Sequence, residues 1–415
     1  MPTEREPALS DQDDRIGLPS PLRIVIFSSI AGTMTVFGQT AGVSVFIDHL
    51  IRDLAISRPA ISTIYSISSL TAALAMSWVG SRIDTVGIRR STLVVSAAFG
   101  TAVFALAGVW EIVGLAIGFF AIRLLGQGAL SLLSKVVVVL RFRQGLGRAV
   151  GISGAAAALG FSILPIPISA LIDQVGWRST LAIGGISIWV VMIPLTVWAM
   201  DRTRDRAMSG KDRDHHAAAA GATRSEAIRT GMFWVISLTV ATVSLVVTAL
   251  TFHQISILGE TGLSPTQAAA VFFPQTVAST LALLSVGLLA DRIPGRLMVG
   301  ASMALLTVAT LLIQVLDVGP VPLFYAITLG AAMGTAFAAE GVLYPRYFGV
   351  REIGAIRGLA FTISVGAAAL GPIIVGVARG ATNDYPLAGL ALLWMPIVVG
   401  LAVLVVRTPT MAARR

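Results

Sequence analysis

The chain contains no cysteine, and only 12% of its 415 residues are charged. The first absence excludes disulfides, thiolate chemistry and cysteine-ligated metals. The second excludes an ordinary soluble globule, in which about a quarter of residues carry charge. Lysine is nearly missing as well, present only at Lys135 and Lys211. Of four histidines, His215 and His216 are adjacent but have no further ligands at suitable spacing, so no metal and no cofactor is expected. No Ser/His/Asp constellation and no Walker loop lies in or beside the apolar runs, which argues against an enzyme and against ATP-driven transport.

What is abundant is apolar sequence. Hydrophobic residues make up 55% of the chain, and the mean hydropathy is +0.85. A globule of this size must also cover a surface, so the solvent for most of these side chains is lipid. The net charge of +9 comes from short basic clusters between apolar runs. That distribution fits membrane loops better than a nucleic-acid face, and no nucleic-acid partner is expected.

A spanning helix needs about 20 mostly apolar residues. This predicts an all-α membrane protein with twelve transmembrane helices, near 22–47, 59–80, 91–110, 113–140, 149–172, 179–200, 231–257, 266–290, 297–316, 320–343, 357–379 and 386–406. Helices are expected throughout, because open strands in lipid leave backbone groups unpaired. The polar N-terminus lacks a basic n-region and a cleavage site, so the run from Leu22 reads as a retained span.

Arginines collect on one side: Arg82, Arg89 and Arg90; Arg141, Arg143 and Arg148; Arg292 and Arg296; Arg346 and Arg351. The other side holds Arg52, Arg58, Arg178 and Arg379. Positive loops stay in the cytoplasm, which places both termini there. Heavy Ala, Gly and Arg usage with compact loops suggests a bacterial inner membrane. The expected organisation is a cytoplasmic tail 1–21, a six-helix bundle 22–200, a cytoplasmic linker 201–230, a second six-helix bundle 231–406 and a tail 407–415.

The two halves also resemble each other at a displacement of about 207 residues. Gly80-Ser-Arg-Ile-Asp84 matches Gly287-Leu-Leu-Ala-Asp291, Asp53 and Ser57 match Glu260 and Ser264, and Gly147 matches Gly354. Six helices repeated twice point to a transporter whose bundles rock about a central site.

These features resemble the major facilitator superfamily over essentially the whole apolar chain. Its loop motif, Gly-x3-Asp-Arg-x-Gly-Arg-Arg, corresponds here to Gly80, Asp84, Gly87, Arg89 and Arg90, with Thr85 and Ile88 replacing two basic residues. A second copy runs through Gly287, Asp291, Arg292 and Arg296 with one extra residue. Physically, glycines permit close helix approach while Asp with Arg forms a charge latch at the cytoplasmic rim.

Gly126-Gln-Gly128, Arg141-Phe-Arg, Gly176-Trp-Arg178, Phe252-His-Gln254, a Tyr344-Pro-Arg-Tyr-Phe-Gly349 loop and Gly371-Pro372 are similar to the monocarboxylate and oxalate/formate branch. That resemblance implies a small organic carboxylate, moved by proton symport or anion exchange, and a monomer. The branch commonly holds the carboxylate with basic residues in helices eight and eleven. Here neither interior has one, and Gln275 is the large amide of span eight.

An ionisable residue inside a span is a functional candidate by default. Arg123 falls about 6 Å outward of the midplane at the helical rise. Its guanidinium suits a carboxylate, with Gln127 one turn further along the same face. The competing reading is helix packing. Lys135, about 12 Å inward by the same rise, corresponds under the repeat to Glu340. Those two are candidates for a cytoplasmic gate pair, with Glu340 a candidate proton carrier. Against this, Lys135 can snorkel and Glu340 can pair with Arg346.

Gln39 and Thr40 are candidate cavity-lining groups. His253 and Gln254, near the outer end of span seven, are either substrate contacts or a solvated boundary. Asp48 and His49 read as a solvated outer mouth. Gly38, Gly42, Gly151, Gly154, Gly366 and Gly371 read as packing or hinge positions, and Pro165, Pro167 and Pro372 as kinks.

The function expected is secondary active transport of a small organic anion by alternating access, coupled to protons or a counter-anion. The alternative is efflux of a drug or metabolite. Segment 151–167 lacks the Gly-Pro pair common in drug–proton exchangers of the superfamily, and a buried arginine suits an anion better than a cationic drug.

Overall fold

The structure, a computed structural model, describes residues 21–142, 146–200, 221–290, 292–349 and 352–406. Ten segments among these are long and apolar enough to cross a membrane. One of them, Ala149–Ala199, would reach about 75 Å as a single helix, more than twice the hydrocarbon thickness. It breaks at Gly176, whose φ of 80° lies outside helical space and makes two traversals of it. Ile88–Leu106, which carries Arg89 and Arg90 at its start, completes twelve.

In chain order α1 is Pro21–Met34 and continues past a break as Thr40–Ser44, α2 is Arg58–Val86 and α3 is Ile88–Leu106. Helix α4 comprises Ile112–Ile122, Arg123–Leu130 and Ser131–Arg141. Leu146–Ile163 begins α5, and Pro165–Ala199 supplies its end and, after Gly176, all of α6. The second bundle follows as α7 (Gly231–Glu260), α8 (Pro265–Ala270 and Phe272–Leu289), α9 (Gly295–Leu312), α10 (Val321–Phe348), α11 (Ile353–Thr382) and α12 (Tyr385–Val405).

The repeat is visible in the backbone. Left-handed residues occur at Ala55 and Gly262, and again at Gly176 and Asn383, each pair 207 apart. Arg89 Nε donates to the carbonyl of Met200 at 2.9 Å, and its repeat mate Arg296 donates from Nη2 to that of Val406 at 2.6 Å. Each arginine therefore satisfies a carbonyl at the end of its bundle's sixth helix, where the helix dipole is negative.

One expectation about loops changes, and the linker gains detail. Tyr344 to Phe348 is not a loop but the last turns of α10, with Tyr344 buried and hydrogen-bonded to Ser237 at 2.7 Å. A buried hydroxyl with a partner holds the helix together past Pro345. Of the expected linker, 201–220 lies outside the described residues, and the rest is structured. Thr223 and Glu226 form a capping box opening a short helix, and the Ala222 amide donates to the Phe348 carbonyl at 2.7 Å.

The bundles meet at one end only. We call it the distal end, opposite the linker. Between described residues, every hydrogen bond, ring contact and close glycine contact that joins the bundles lies there. A Cβ on Gly376 of α11 would come within 2.4 Å of Ser62 Oγ, and one on Gly380 within 2.6 Å of Pro59. Thr266 Oγ1 reaches Ser169 Oγ at 3.4 Å. The apolar core of the first bundle runs on into Phe252, Ile255, Leu258, Ala268, Ala269 and Phe272 of the second. Toward the linker end, by contrast, a Cβ on Gly151, Gly154, Gly287, Gly341, Gly358 or Gly366 would meet nothing within 4 Å. The molecule is closed distally and parted toward the linker. Gly151, Gly154 and Gly366, expected as packing or hinge positions, face open space in this conformation.

Candidate functional site

Two interrupted helices build the centre of the first bundle. Helix α1 tightens to a 3-10 turn at Thr35–Gly38, then Gln39 turns extended at φ −85° and ψ 150°. Helix α4 widens to a π-helix over Arg123–Leu130, a form common at functional sites. The two breaks face each other. A Cβ on Gly38 would stand 2.5 Å from the Ile122 carbonyl and 2.8 Å from the Gln127 amide, so only glycine permits this approach. Gly42 packs as tightly on the Val36 carbonyl.

Arg123 closes the junction. Only 8% of it is exposed. Nη1 donates to the Gly38 carbonyl at 3.0 Å and reaches Thr40 Oγ1 at 3.5 Å. The guanidinium carbon stands 5.0 Å from the Tyr65 ring centre, and the Tyr65 hydroxyl donates to Thr40 Oγ1 at 2.9 Å. Nε is buried without a hydrogen-bond partner. No described carboxylate forms an ion pair with Arg123. A cation this deep in hydrocarbon is held by a carbonyl, a hydroxyl and a π face, which leaves its charge uncompensated.

The other expected site residues fall in several places. Gln39 and Thr40 are part-buried at the break, with Gln39 Nε2 donating to Thr35 Oγ1 at 3.1 Å. Gln127 is exposed, because the π-helical stretch shifts it from the face an α-helix would give it. His253 and Gln254 are not at a solvated boundary: neither has any exposed surface, because the distal closure covers them. His253 Nε2 donates to the Pro372 carbonyl at 3.2 Å, and the Tyr385 hydroxyl donates to Nδ1 at 3.4 Å. Both polar atoms of the Gln254 amide are buried without partners, as is Oε1 of Gln275.

Glu340 does not meet Lys135 in this conformation. Its carboxylate stands 3.7 Å from Arg357 of α11, while Lys135 is exposed. The parted linker ends hold α4 away from α10 and leave α11 as the near neighbour. Arg346 instead donates to the carbonyls of Ala290 and Ile293 at 2.7 and 3.4 Å.

In the loop motif, Gly87 takes φ 90° as the turn into α3, Arg89 serves Met200 as described, and Arg90 is exposed. In the second copy Gly287 lies in the last turn of α8, Arg292 in the connection and Arg296 in the first turn of α9, with Arg292 and Arg296 exposed. The surroundings of Gly80, the side chain of Asp84 and all of Asp291 lie outside the described residues. The distal mouth is paired, not merely solvated: Asp48 forms an ion pair with Arg58. Next to it, burial and then Arg52 hold the His49 imidazole below its ordinary value.

Two aromatic residues that no sequence motif singles out, Tyr65 and Phe119, complete this region together with Phe252. Tyr65 packs on Phe252 across the bundle interface with ring centres 4.5 Å apart, and edge-on against Phe119 at 5.6 Å. A signal was present, since tyrosine in membrane helices favours the interfaces and Tyr65 is one of only five in the chain.

The sequence pattern of the Major Facilitator Superfamily matches residues 29–372. The chain belongs to that superfamily. It is therefore a multi-pass membrane transporter and not an enzyme. No curated protein sequence matches it. Among solved structures, this superfamily member is similar to a bacterial homologue of the human lysosomal transporter Spinster in an inward-facing, unoccupied conformation. The identity is 13%, the alignment covers 93% of this chain and 95% of that one, and the TM-score is 0.70. It is similar also to the nucleoside transporter NupG, at 13% identity over 95% of this chain and 99% of that one, with a TM-score of 0.74. At such identity the likeness concerns the fold alone.

Proposed function

We propose that this transporter carries a small organic anion of the monocarboxylate type by alternating access, with Arg123 as its anchor. The observation that carries this reading is a buried guanidinium, without a described carboxylate partner, at the junction of two broken helices. Its free Nε and planar fork suit a carboxylate, which would supply the missing charge. Gln39 and Thr40 beside it offer further hydrogen bonds. Gln127, His253, Gln254 and Gln275 stand as the remaining contacts, engaged as the bundles rearrange.

The arginine distribution supports both termini in the cytoplasm, the Ala, Gly and Arg usage supports a bacterial inner membrane, and the family resemblance supports a monomer. On that orientation the present conformation faces inward. Lys135 and Glu340 would then meet when the linker ends close, and protonation of Glu340 would couple transport to a proton gradient; exchange for a counter-anion is the other coupling mode.

One observation favours a second reading, export or uptake of a drug or neutral metabolite. The unpartnered amide of Gln254 and the unpartnered Oε1 of Gln275 suit an uncharged polar solute, and NupG, of the same fold, is a nucleoside transporter. Uptake of labelled lactate, pyruvate and oxalate into proteoliposomes separates the two, comparing the intact protein with Arg123→Gln, with and without an inward proton gradient. Saturable uptake lost in the variant is expected. Absence of any acid flux, even against the same acid loaded inside, would transfer the assignment to the neutral or drug substrate.

A further inference from the structure

The distal closure contains one aromatic–cationic assembly whose members belong to both bundles. The Tyr385 ring, at the start of α12, lies near two guanidinium groups, Arg58 at 5.7 Å and Arg379 at 5.1 Å. Each arginine is tied to an acid of its own bundle, Arg58 to Asp48 and Arg379 to Glu260 at 2.6 Å. The tyrosine hydroxyl is fixed on His253, whose other nitrogen holds the Pro372 carbonyl of α11. Phe252, the neighbour of His253, packs on Tyr65.

Helix α2 therefore reaches the second bundle along its first two turns, from Arg58 through Pro59 and Ser62 to Tyr65. Tyr65 is also the ring that faces Arg123, and its hydroxyl holds Thr40, the residue that follows the break in α1. We propose that Tyr65 is the positioning residue that transmits occupancy of Arg123 to the distal closure. It does so through Phe252 and the Tyr385 clamp.

The physical case rests on competition for one cation. A guanidinium is attracted to a π face in proportion to its uncompensated charge. An anion that binds Arg123 neutralises that charge and draws the guanidinium from the ring. Tyr65 then loses one of the contacts that hold it against Phe252. Because α2 is one rigid helix, a shift at Tyr65 moves Ser62, Pro59 and Arg58 as well, and the cross-bundle contacts along it weaken together. The closed arrangement is also incompletely satisfied: Arg58 Nη1 and Arg123 Nε are both buried without partners. An element with unmet polar groups in one state can be biased toward another, which coupling between two sites requires.

The natural absence of cysteine makes the test direct. Ser62 is fully buried against Gly376, so the thiol of a Ser62→Cys protein is reachable only when the distal end opens. Its labelling rate by a membrane-impermeant maleimide, in proteoliposomes, is measured without ligand and then with oxalate or lactate. Without ligand, adding Tyr65→Leu should raise the rate about two- to tenfold, the population shift an aromatic pair supports. Tyr65→Phe, which keeps the ring, should change it much less. Phe252→Leu should act as Tyr65→Leu does, and the two together should add nothing.

Only the ligand arm rests on the anion reading. There, the anion should accelerate labelling in the parent and fail to do so with Phe252→Leu, which breaks the relay beyond Tyr65, while binding to that variant followed by thermal shift persists. If no acid binds the parent, the anion reading falls and the ligand-free arm still judges Tyr65. Equal ligand-free labelling in the parent, Tyr65→Leu and Phe252→Leu proteins would overturn the proposal. So would an anion-induced acceleration that survives Phe252→Leu.

Discussion

Arg123 donates from Nη1 to the main-chain carbonyl of Gly38 at 3.0 Å, joining the π-helical part of α4 to the break in α1. One side chain thus holds the fold and presents a charge at mid-depth. The two readings of Arg123, packing and anion binding, are not exclusive: Nη1 does the first, and the uncompensated charge leaves room for the second.

Arg123→Gln should therefore have two effects. Uptake should fall by roughly a hundredfold, since a charge-assisted contact of about 2–5 kcal/mol is lost. Thermal stability should also drop, because removing a buried donor costs about 1–3 kcal/mol. Arg123→Lys should restore part of the stability but little of the uptake, as a point charge lacks the fork. Initial-rate uptake and melting curves in detergent check both; an Arg123→Gln protein with full uptake would return the arginine to packing alone.

Gly376→Val should hinder distal closure, because even a Cβ there would stand 2.4 Å from Ser62 Oγ. The bundles should shift toward a distally open state with the fold intact. Maleimide labelling at introduced cysteines near Pro59 should rise, whereas the same change at Gly366, which faces open space here, should leave labelling of this conformation unaffected.

Glu340→Gln should abolish stimulation by an inward proton gradient while exchange of internal for external anion continues. Flux through the two modes, measured on one preparation, gives the answer. Equal gradient dependence in variant and parent would remove Glu340 from proton coupling and leave it as the partner of Arg357.

His49 carries a pH prediction. Burial, then Arg52, depresses its pKa, against the opposing pull of Asp48, Asp173 and Asp53. A depressed value means the folded protein holds the neutral ring, so its contribution is present above the ordinary value near 6.5 and is lost as pH falls below it. Melting temperature should decline from pH 7.5 to pH 5.5 more in the parent than in His49→Gln. Parallel curves would show that the ring does not titrate in this window.

Topology is testable with the same cysteine-free background. Single cysteines at Ser10 and Ser209 should label only from the cytoplasmic side, and one at Val318, in the α9–α10 connection, only from outside. Reversal of that pattern would invert the orientation read from the arginines.

The twelve helices and their repeat were legible in the sequence because a bilayer imposes length and hydropathy on every span and leaves backbone groups no partner but their own helix. Arg123 stood out for the same reason, as a charge where charge is expensive. Hydropathy says nothing of which side chain faces which neighbour. His253 looked like a boundary residue from its distance to the end of α7, yet it is buried because the distal closure folds over it. Glu340 has Arg357 rather than Lys135 because the bundles are parted at the linker end, a property of one conformation that no residue type encodes. The break at Gln39, the π-helix at Arg123 and the Tyr65–Phe252 contact likewise arise only when two helices pack at backbone distance. Length, apolarity and charge bias, which are local, were determined by the sequence itself; the meeting of α1 with α4 and of α2 with α7, which depends on packing between distant segments, was decided by the tertiary structure.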